Sequence, residues 1–188
     1  MIPTDAEILS IHRDAAPTRS AFESVYRHCQ LVCAIAEQFF AGLDIDTGLV
    51  RAGALLHDIG VYRVDGQAYV RHGVLGHETL AGLGFPEQLC RFASCHTGVG
   101  ITADDVRRQQ LPIPVADYLP RSREEELVMY ADKFHSKRTP PVFVSGDSYE
   151  VIVGRFGAGK VERFAQLRAA YGDPALAGLV AATGQALV

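Results

Sequence analysis

Seven histidines lie in this 188-residue chain, at positions 12, 28, 57, 72, 77, 96 and 135, and five of them fall between 28 and 96. The densest chemistry is in "GALLHDIGVY", residues 53–62, where Ala54, Leu55 and Leu56 run straight into His57 and Asp58 before Gly60. Imidazole and carboxylate together suit borderline divalent metals such as iron, manganese, cobalt, nickel or zinc, with magnesium ranked below them. Two ligands alone hold a cation poorly, so other donors must converge on this pair. The available ones are His28, His72, His96 and the Asp132 of "MYADKF". His77, five residues past His72, competes for the same place, because a reach from His77 to His96 is also feasible.

Helical periodicity supplies the elements that must position these groups. Over 21–42, Phe22, Val25, Tyr26, Cys29, Val32, Cys33, Ala36 and Phe40 recur at steps of three and four, which predicts one helix carrying His28. Asp46 and Thr47 can cap a second helix that finishes at Gly60 and leaves His57 and Asp58 in its last turn or just past it. Shorter helices are expected over 74–83, 86–95 and 102–109. Ser122 followed by Glu125 reads as a capping box opening a helix that contains Asp132. The three-proline segment 111–122 and the stretch "RTPPVFVSGDS" read as loops, with VFV a short strand lacking a partner. A last helical region spans 149–171, interrupted at 154–159, and an apolar tail from Pro174 is expected to pack back on the body. The expected fold class is all-α: one compact helical bundle over 1–188, with a core at 22–136 and a C-terminal helical extension at 148–188. Loop 111–120 and segment 137–148 are the expected rim or lid.

Composition narrows the partners. At 48% hydrophobic and 21% charged, with mean hydropathy +0.07, the chain has the make-up of a globular protein able to bury a real core. A net charge of -4, a pI near 5.9 and no run of basic residues argue against a nucleic-acid polymer as partner. The first residues lack the basic start and unbroken apolar core of an export signal, and no stretch approaches the roughly 18 apolar residues of a membrane span. A cytoplasmic protein without membrane contact is therefore expected. Cys29, Cys33, Cys90 and Cys95 have neither the number of a secreted disulfide framework nor the spacing of a zinc ribbon, and read as buried reduced thiols. Exposed apolar helix faces in the C-terminal third would suit a homodimer.

The ordered series His28, His57 and Asp58, His72, His96, Asp132, with "LLHDIG" and "YAD" as its fixed points, resembles the HD-domain superfamily of metal-dependent phosphohydrolases over residues 22–136. Within it the chain is similar to small stand-alone HDIG-type proteins and to the compact HD hydrolases of dinucleoside tetraphosphates. The resemblance implies that His28, His57, Asp58 and Asp132 bind a primary metal. His72 and His96 would bind a second one, bridged to the first through Asp58. It favours His72 over His77 as the ligand and leaves His77 in the pocket. Many such proteins follow HDIG with lysine or arginine, whereas Val61 stands here, so positive charge for a phosphate must come from elsewhere. Arg63, Arg71 and Lys133 are the candidates, and Thr97, beside His96, is a further pocket candidate. His12 and His135 fall outside the pattern and read as surface or capping residues.

The function so implied is hydrolysis of a phosphoester or phosphoanhydride in a small metabolite or nucleotide. One or two divalent transition metals activate the water, and Asp58 orients it and accepts its proton. The six-ligand set also matches HD proteins that hold two irons and use dioxygen on a C–H or C–P bond of a small phosphorylated or phosphonate substrate. That oxygenase reading ranks second, because hydrolysis is the commoner activity of the superfamily. A non-catalytic, metal-stabilised binding module ranks third, since no ligand position is lost.

Overall fold

Side-chain caps set many of the helix boundaries. In the computed structural model, which describes residues 2–188, Thr4, Thr18 and Asp46 each accept a backbone N–H at the start of α1 (Asp5–Ala15), α2 (Arg19–Ala36) and α3 (Thr47–Leu56). Two helices without such caps follow, α4 (His72–Gly82) and α5 (Glu87–Cys95). Thr102, Ser122 and Ser145 then cap α6 (Ala103–Arg108), α7 (Arg123–Ala131) and α8 (Gly146–Gly154), and α9 (Ala158–Tyr171) and α10 (Ala177–Thr183) complete the helical set. Tighter 3-10 turns occupy Glu37–Phe39, Ile59–Arg63, Tyr69–Arg71 and Asp132–Phe134. The all-α class expected from the periodicity is the class observed.

Helix α7 is the centre of the bundle. Leu127, Val128, Met129, Tyr130 and Ala131 are all fully buried, and the helix packs on α2, α3 and α5. Each large apolar side chain so enclosed contributes about 1.5–3 kcal/mol. Helix α4 packs against α5 and against the 3-10 turn that follows α3. That last contact depends on Gly60, where a Cβ would sit 2.1 Å from the His72 carbonyl oxygen and 2.2 Å from the Gly76 nitrogen. Backbone therefore lies directly on backbone, which brings the segment after Asp58 against the start of α4.

Several elements differ from expectation for physical reasons. The first long helix begins two residues earlier and ends at Ala36, after which a tighter turn directs Phe39 onto Tyr130 and Tyr171. Residues 5–15, for which the periodicity gives no element, form α1 behind a complete Thr4–Glu7 capping box. The Ser122–Glu125 box is only half formed: the Ser122 hydroxyl accepts from the Glu125 N–H, but the Glu125 carboxylate turns to Arg91 and the Arg121 N–H. The VFV run does find partners. Strand β1 (His135–Ser136) pairs antiparallel with β2 (Val142–Phe143), and β2 pairs in parallel with β3 (Ala186–Leu187). Both partners are two residues long and one lies at the far end of the chain, so no local pattern announces them. The tail from Pro174 packs back through Leu176, Leu179 and Val180, as expected.

Candidate metal centre

Five of the six expected metal ligands sit at helix ends. His57, His96 and Asp132 are the residues just past α3, α5 and α7, Asp58 follows His57, and His72 opens α4. Only His28 projects from mid-helix, in α2. Helix C-termini leave backbone carbonyls without intrahelical partners; His57 and His96 each bond a carbonyl of the last turn of their helix, and His72 bonds one in the turn before α4. The His57 Nδ1–H donates to the Ala54 oxygen at 2.7 Å, His72 Nδ1–H to Tyr69 at 2.6 Å and His96 Nδ1–H to Phe92 at 3.1 Å. Each bond places the proton of the neutral ring on Nδ1 and turns Nε2 toward the carboxylates.

His28 reaches the same state by a longer chain. The Gln185 Oε1 accepts from His135 Nε2–H at 2.8 Å, and the free His135 Nδ1 accepts from His28 Nδ1–H at 2.7 Å. The His28 Nε2 is then turned the same way.

All four Nε2 atoms face carboxylate oxygen. His28 Nε2 lies 3.0 Å from Asp132 Oδ1 and 3.2 Å from Asp58 Oδ2. His57 Nε2 lies 3.3 Å from His28 Nε2 and 3.4 Å from each of those two oxygens. On the other side, His72 Nε2 and His96 Nε2 are 2.9 Å apart and lie 3.6 and 3.5 Å from Asp58 Oδ1. Atoms so spaced resemble ligands held about 2.0–2.2 Å from a shared cation. Asp58 Oδ1 is the one buried side-chain oxygen or nitrogen among the described residues without a hydrogen-bond partner. An unsatisfied buried carboxylate oxygen beside two facing lone pairs is costly in a folded chain, and a cation between them removes the cost. The donor set therefore fits a divalent transition metal. Cys29 also comes within 4.8 Å of donor atoms of His57 and Asp58, although its sequence context suggests only a buried thiol.

Proton affinities follow the same field. Burial alone would lower His57, yet the Asp58 charge, together with hydrogen bonds that the protonated ring donates to Asp132 and Asp58, raises it well above the ordinary imidazole value. Burial would raise Asp58 and Asp132, but Lys137 and His57 hold the first, and Lys133 and His28 the second, well below the carboxylate range. Burial lowers His72, and lowers His96 to about 4, so both rings are neutral near pH 7. Positive charge is drawn to the point where the donors meet.

Above the donors opens a cleft of about 340 Å³, lined at its base by Asp58, His72, His96 and Asp132 and along one wall by Val99, Ile101, Leu111, Val153 and Phe156. Thr97 lines it too. The other expected pocket residues are placed elsewhere. Arg63 donates to the Leu75 carbonyl and the Thr79 hydroxyl and pairs with Glu78. His77 lies between the Ser94 hydroxyl and Glu87, and Arg71 does not line the cleft. Lys133 is buried and donates to Asp132 Oδ2 at 2.7 Å and the His96 carbonyl at 2.9 Å, tying two ligand-bearing helix ends together. The cations that do line the cleft are Lys137 and Lys160, neither singled out by the motif. Lys137 could have been found as the lysine five residues after Asp132, at the edge of the expected rim.

His12 and His135 are also corrected. His12 is fully buried, its Nε2–H donating to the Leu55 carbonyl at 2.7 Å and its Nδ1 accepting from the Tyr62 hydroxyl at 2.9 Å. His135 is 5% exposed and orients His28. Neither is a surface or capping residue, because apolar packing brings remote polar partners to both.

Comparison with known proteins gives a consistent family. The HD domain model matches residues 25–137. An uncharacterized protein of Methanocaldococcus jannaschii is 42% identical over 123 residues, covering 62% of this chain and 70% of that protein. The tRNA (cytidine(56)-2'-O)-methyltransferase of Picrophilus torridus is 33% identical over 135 residues, 72% of this chain but 37% of that protein. Its Thermoplasma volcanium namesake is 32% identical over 112 residues, 60% of this chain and 32% of its own length. Among solved structures, the HD domain of the L. monocytogenes phosphodiesterase PgpH superposes with TM-score 0.51 at 17% identity, over 87% of this chain and 95% of that one. The same domain in complex with cyclic-di-AMP gives 0.52 at 15% identity, over 95% and 98%. At these identities the structural likeness is one of fold.

Proposed function

This chain belongs to the HD-domain family, and from that premise we propose that its His–Asp centre hydrolyses a phosphoester or phosphoanhydride of a small metabolite or nucleotide. The observation that carries the reading is the division of Asp58: Oδ2 faces His28 and His57 while Oδ1 faces His72 and His96. One carboxylate thus serves two donor sets, His28, His57 and Asp132 on one side and His72 and His96 on the other. One or two divalent transition metals held there would supply a water of lowered pKa and an electrophile for the phosphoryl oxygen.

The chain's own residues do the rest. Asp58, at the junction, orients the water and accepts its proton. Lys133 holds Asp132 and the His96 backbone in register. The Thr97 hydroxyl, in the lining of the cleft, offers a hydrogen bond to a phosphoryl oxygen. The apolar wall of Val99, Ile101 and Phe156 receives the non-phosphate part of the substrate and keeps bulk water away. A cleft of about 340 Å³ is at the small end of ligand pockets, which supports a compact substrate. Cyclic-di-AMP, named with one structural neighbour, is itself a small phosphorylated nucleotide. The methyltransferase name belongs to proteins of which the match spans about a third, and it is not carried over. No helix of the described residues is long and apolar enough to cross a membrane.

Elemental mass spectrometry of the purified chain, followed by anaerobic phosphate release from a panel of nucleotides and sugar phosphates, tests the reading. Manganese, cobalt, nickel or zinc with phosphate release supports it. Two irons with oxygen consumption and no phosphate release overturns it in favour of an oxygenase, and failure to take up any metal removes its basis.

A further inference from the structure

The cations around the centre differ in how firmly the chain holds them. Arg63 is bound to Leu75, Thr79 and Glu78 on the outer face of α4. Lys133 is held by Asp132 and the His96 carbonyl. Lys160 is held by the Gly100 carbonyl and Asp105 Oδ2, each at 2.6 Å. These partners lie outside the donor set or, for Lys133, on the far oxygen of Asp132. Lys137 lines the cleft and is largely buried, as Lys160 is, but differs in its partner: it pairs with Asp58 Oδ2, inside the donor set. That is the oxygen which also faces His28 and His57.

Were a divalent cation held at that oxygen, the Lys137 ammonium would face competition for the same lone pairs and like-charge repulsion. The ammonium must then find another anion, because a largely buried charge without a partner is costly. Its surroundings direct it into the cleft. Pairing of β1 with β2 fixes the backbone just before it, and the Tyr69 ring lies 5.9 Å from Nζ, a cation–π contact that keeps the head group beside the donors. The four-carbon stem allows the head to move without moving the strand. From Asp58 the adjacent open space is where a phosphoryl group must sit for Asp58 to present water to it.

We propose that Lys137 is the phosphate-binding cation of this cleft, exchanging its ion pair with Asp58 for a non-bridging phosphoryl oxygen when substrate enters. The assignment rests on the phosphohydrolase reading and places the missing positive charge on the segment after β1 instead of at Val61. No bond is made or broken by Lys137; it neutralises charge and positions the phosphoryl group.

The test uses the full chain loaded with Mn2+ and titrated calorimetrically with inorganic phosphate, alongside a titration of the metal-free chain with Mn2+. Lys137→Met is expected to bind Mn2+ with unchanged stoichiometry and at least wild-type affinity, since a competitor for Asp58 is gone. Its phosphate affinity is expected to fall about 10- to 100-fold, the worth of one charge-assisted hydrogen bond, with Lys137→Arg retaining most of it. Lys137→Gln, which keeps a polar tip, must show the same loss and serves if the methionine variant does not fold. Unchanged phosphate affinity in both neutral variants, or loss of Mn2+ instead, overturns the proposal and makes Lys137 a support for Asp58. If wild-type protein releases phosphate from substrates while these variants bind phosphate normally, the Lys137 assignment alone fails. If the Mn2+-loaded wild type neither binds nor releases phosphate, the hydrolase reading fails with it.

Discussion

Glu125 and Asp58 are equally removed from water, at 3% and 1% exposed, yet the chain completes one and not the other. Glu125 accepts from Arg91 through both oxygens, at 2.8 and 3.0 Å, and from the Arg121 N–H at 2.6 Å, while Arg91 also donates to the Leu119 carbonyl at 2.7 Å. Every strong donor there has its acceptor, and the result fastens the proline-rich loop to α5 and α7. Around Asp58 one oxygen has no partner and four imidazole Nε2 atoms face the carboxylates. The first arrangement is a scaffold that the protein finishes by itself. The second leaves a donor set that a bound cation would complete.

Removing the central charge breaks this contrast most severely. Asp58→Asn preserves shape but not the anion shared by the two donor sets, and is expected to abolish stoichiometric metal uptake and reduce phosphate release by about a thousandfold or more. Metal-free stability should fall as well, because the largely buried Lys137 ammonium loses its carboxylate partner. A variant that keeps full metal content and rate would erase the distinction drawn here. Glu125→Ala has the opposite signature. It strands Arg91 in the interior and is expected to cost about 3–5 kcal/mol in urea unfolding while metal content per folded molecule is unchanged.

Metal removal sharpens the contrast further. Saturation at about a hundred times the dissociation constant should stabilise the wild type by about 2.7 kcal/mol relative to chelated protein. Glu125→Ala should keep that increment and Asp58→Asn should lose it, as read from thermal unfolding with and without chelator.

The most localised effect concerns His12, a third buried polar group and one the chain does complete. Burial pushes it down from 6.5 to about 4, with the Leu55 carbonyl acting in the other direction. The unfolded chain takes up this proton near 6.5 and the folded chain resists until about 4, so the stability concerned is whole above the first value and lost as pH falls to the second. The contribution is on the order of 3 kcal/mol. His12→Gln should flatten the slope of unfolding free energy against pH in that window, measured on chelated protein. An unchanged slope would assign the acid sensitivity to other groups.

Much of the scaffold was legible in the sequence because its signals are local. Asp46, Thr102 and Ser122 mark helix starts that the structure realises, since a cap and the N–H it satisfies lie three residues apart. His28 within its helix and His57 and Asp58 at the end of theirs followed from periodicity and caps, whereas Asp132, expected inside a helix, lies just past α7 and His72, expected before one, opens α4; the grouping of the six came from the family resemblance. The cleft's lining was less legible. Arg63 and His77 are near the motif in sequence, yet their bonds to Glu78 and Glu87 keep them on outer faces. Lys137 is 79 residues from Asp58 and meets it all the same.

The sequence by itself determined an all-helical chain, a cluster of imidazole and carboxylate at helix ends, and an acidic surface without a polymer-binding tract, because each depends on residue type and short-range spacing. Only the tertiary structure decided which ring nitrogens face the carboxylates, that His135 and Gln185 orient His28, that VFV acquires two partner strands, and which lysine enters the cleft. The orientation of His28 and the placing of Lys137 join residues 50 to 107 positions apart, and packing of the whole bundle, not any local preference, selects them.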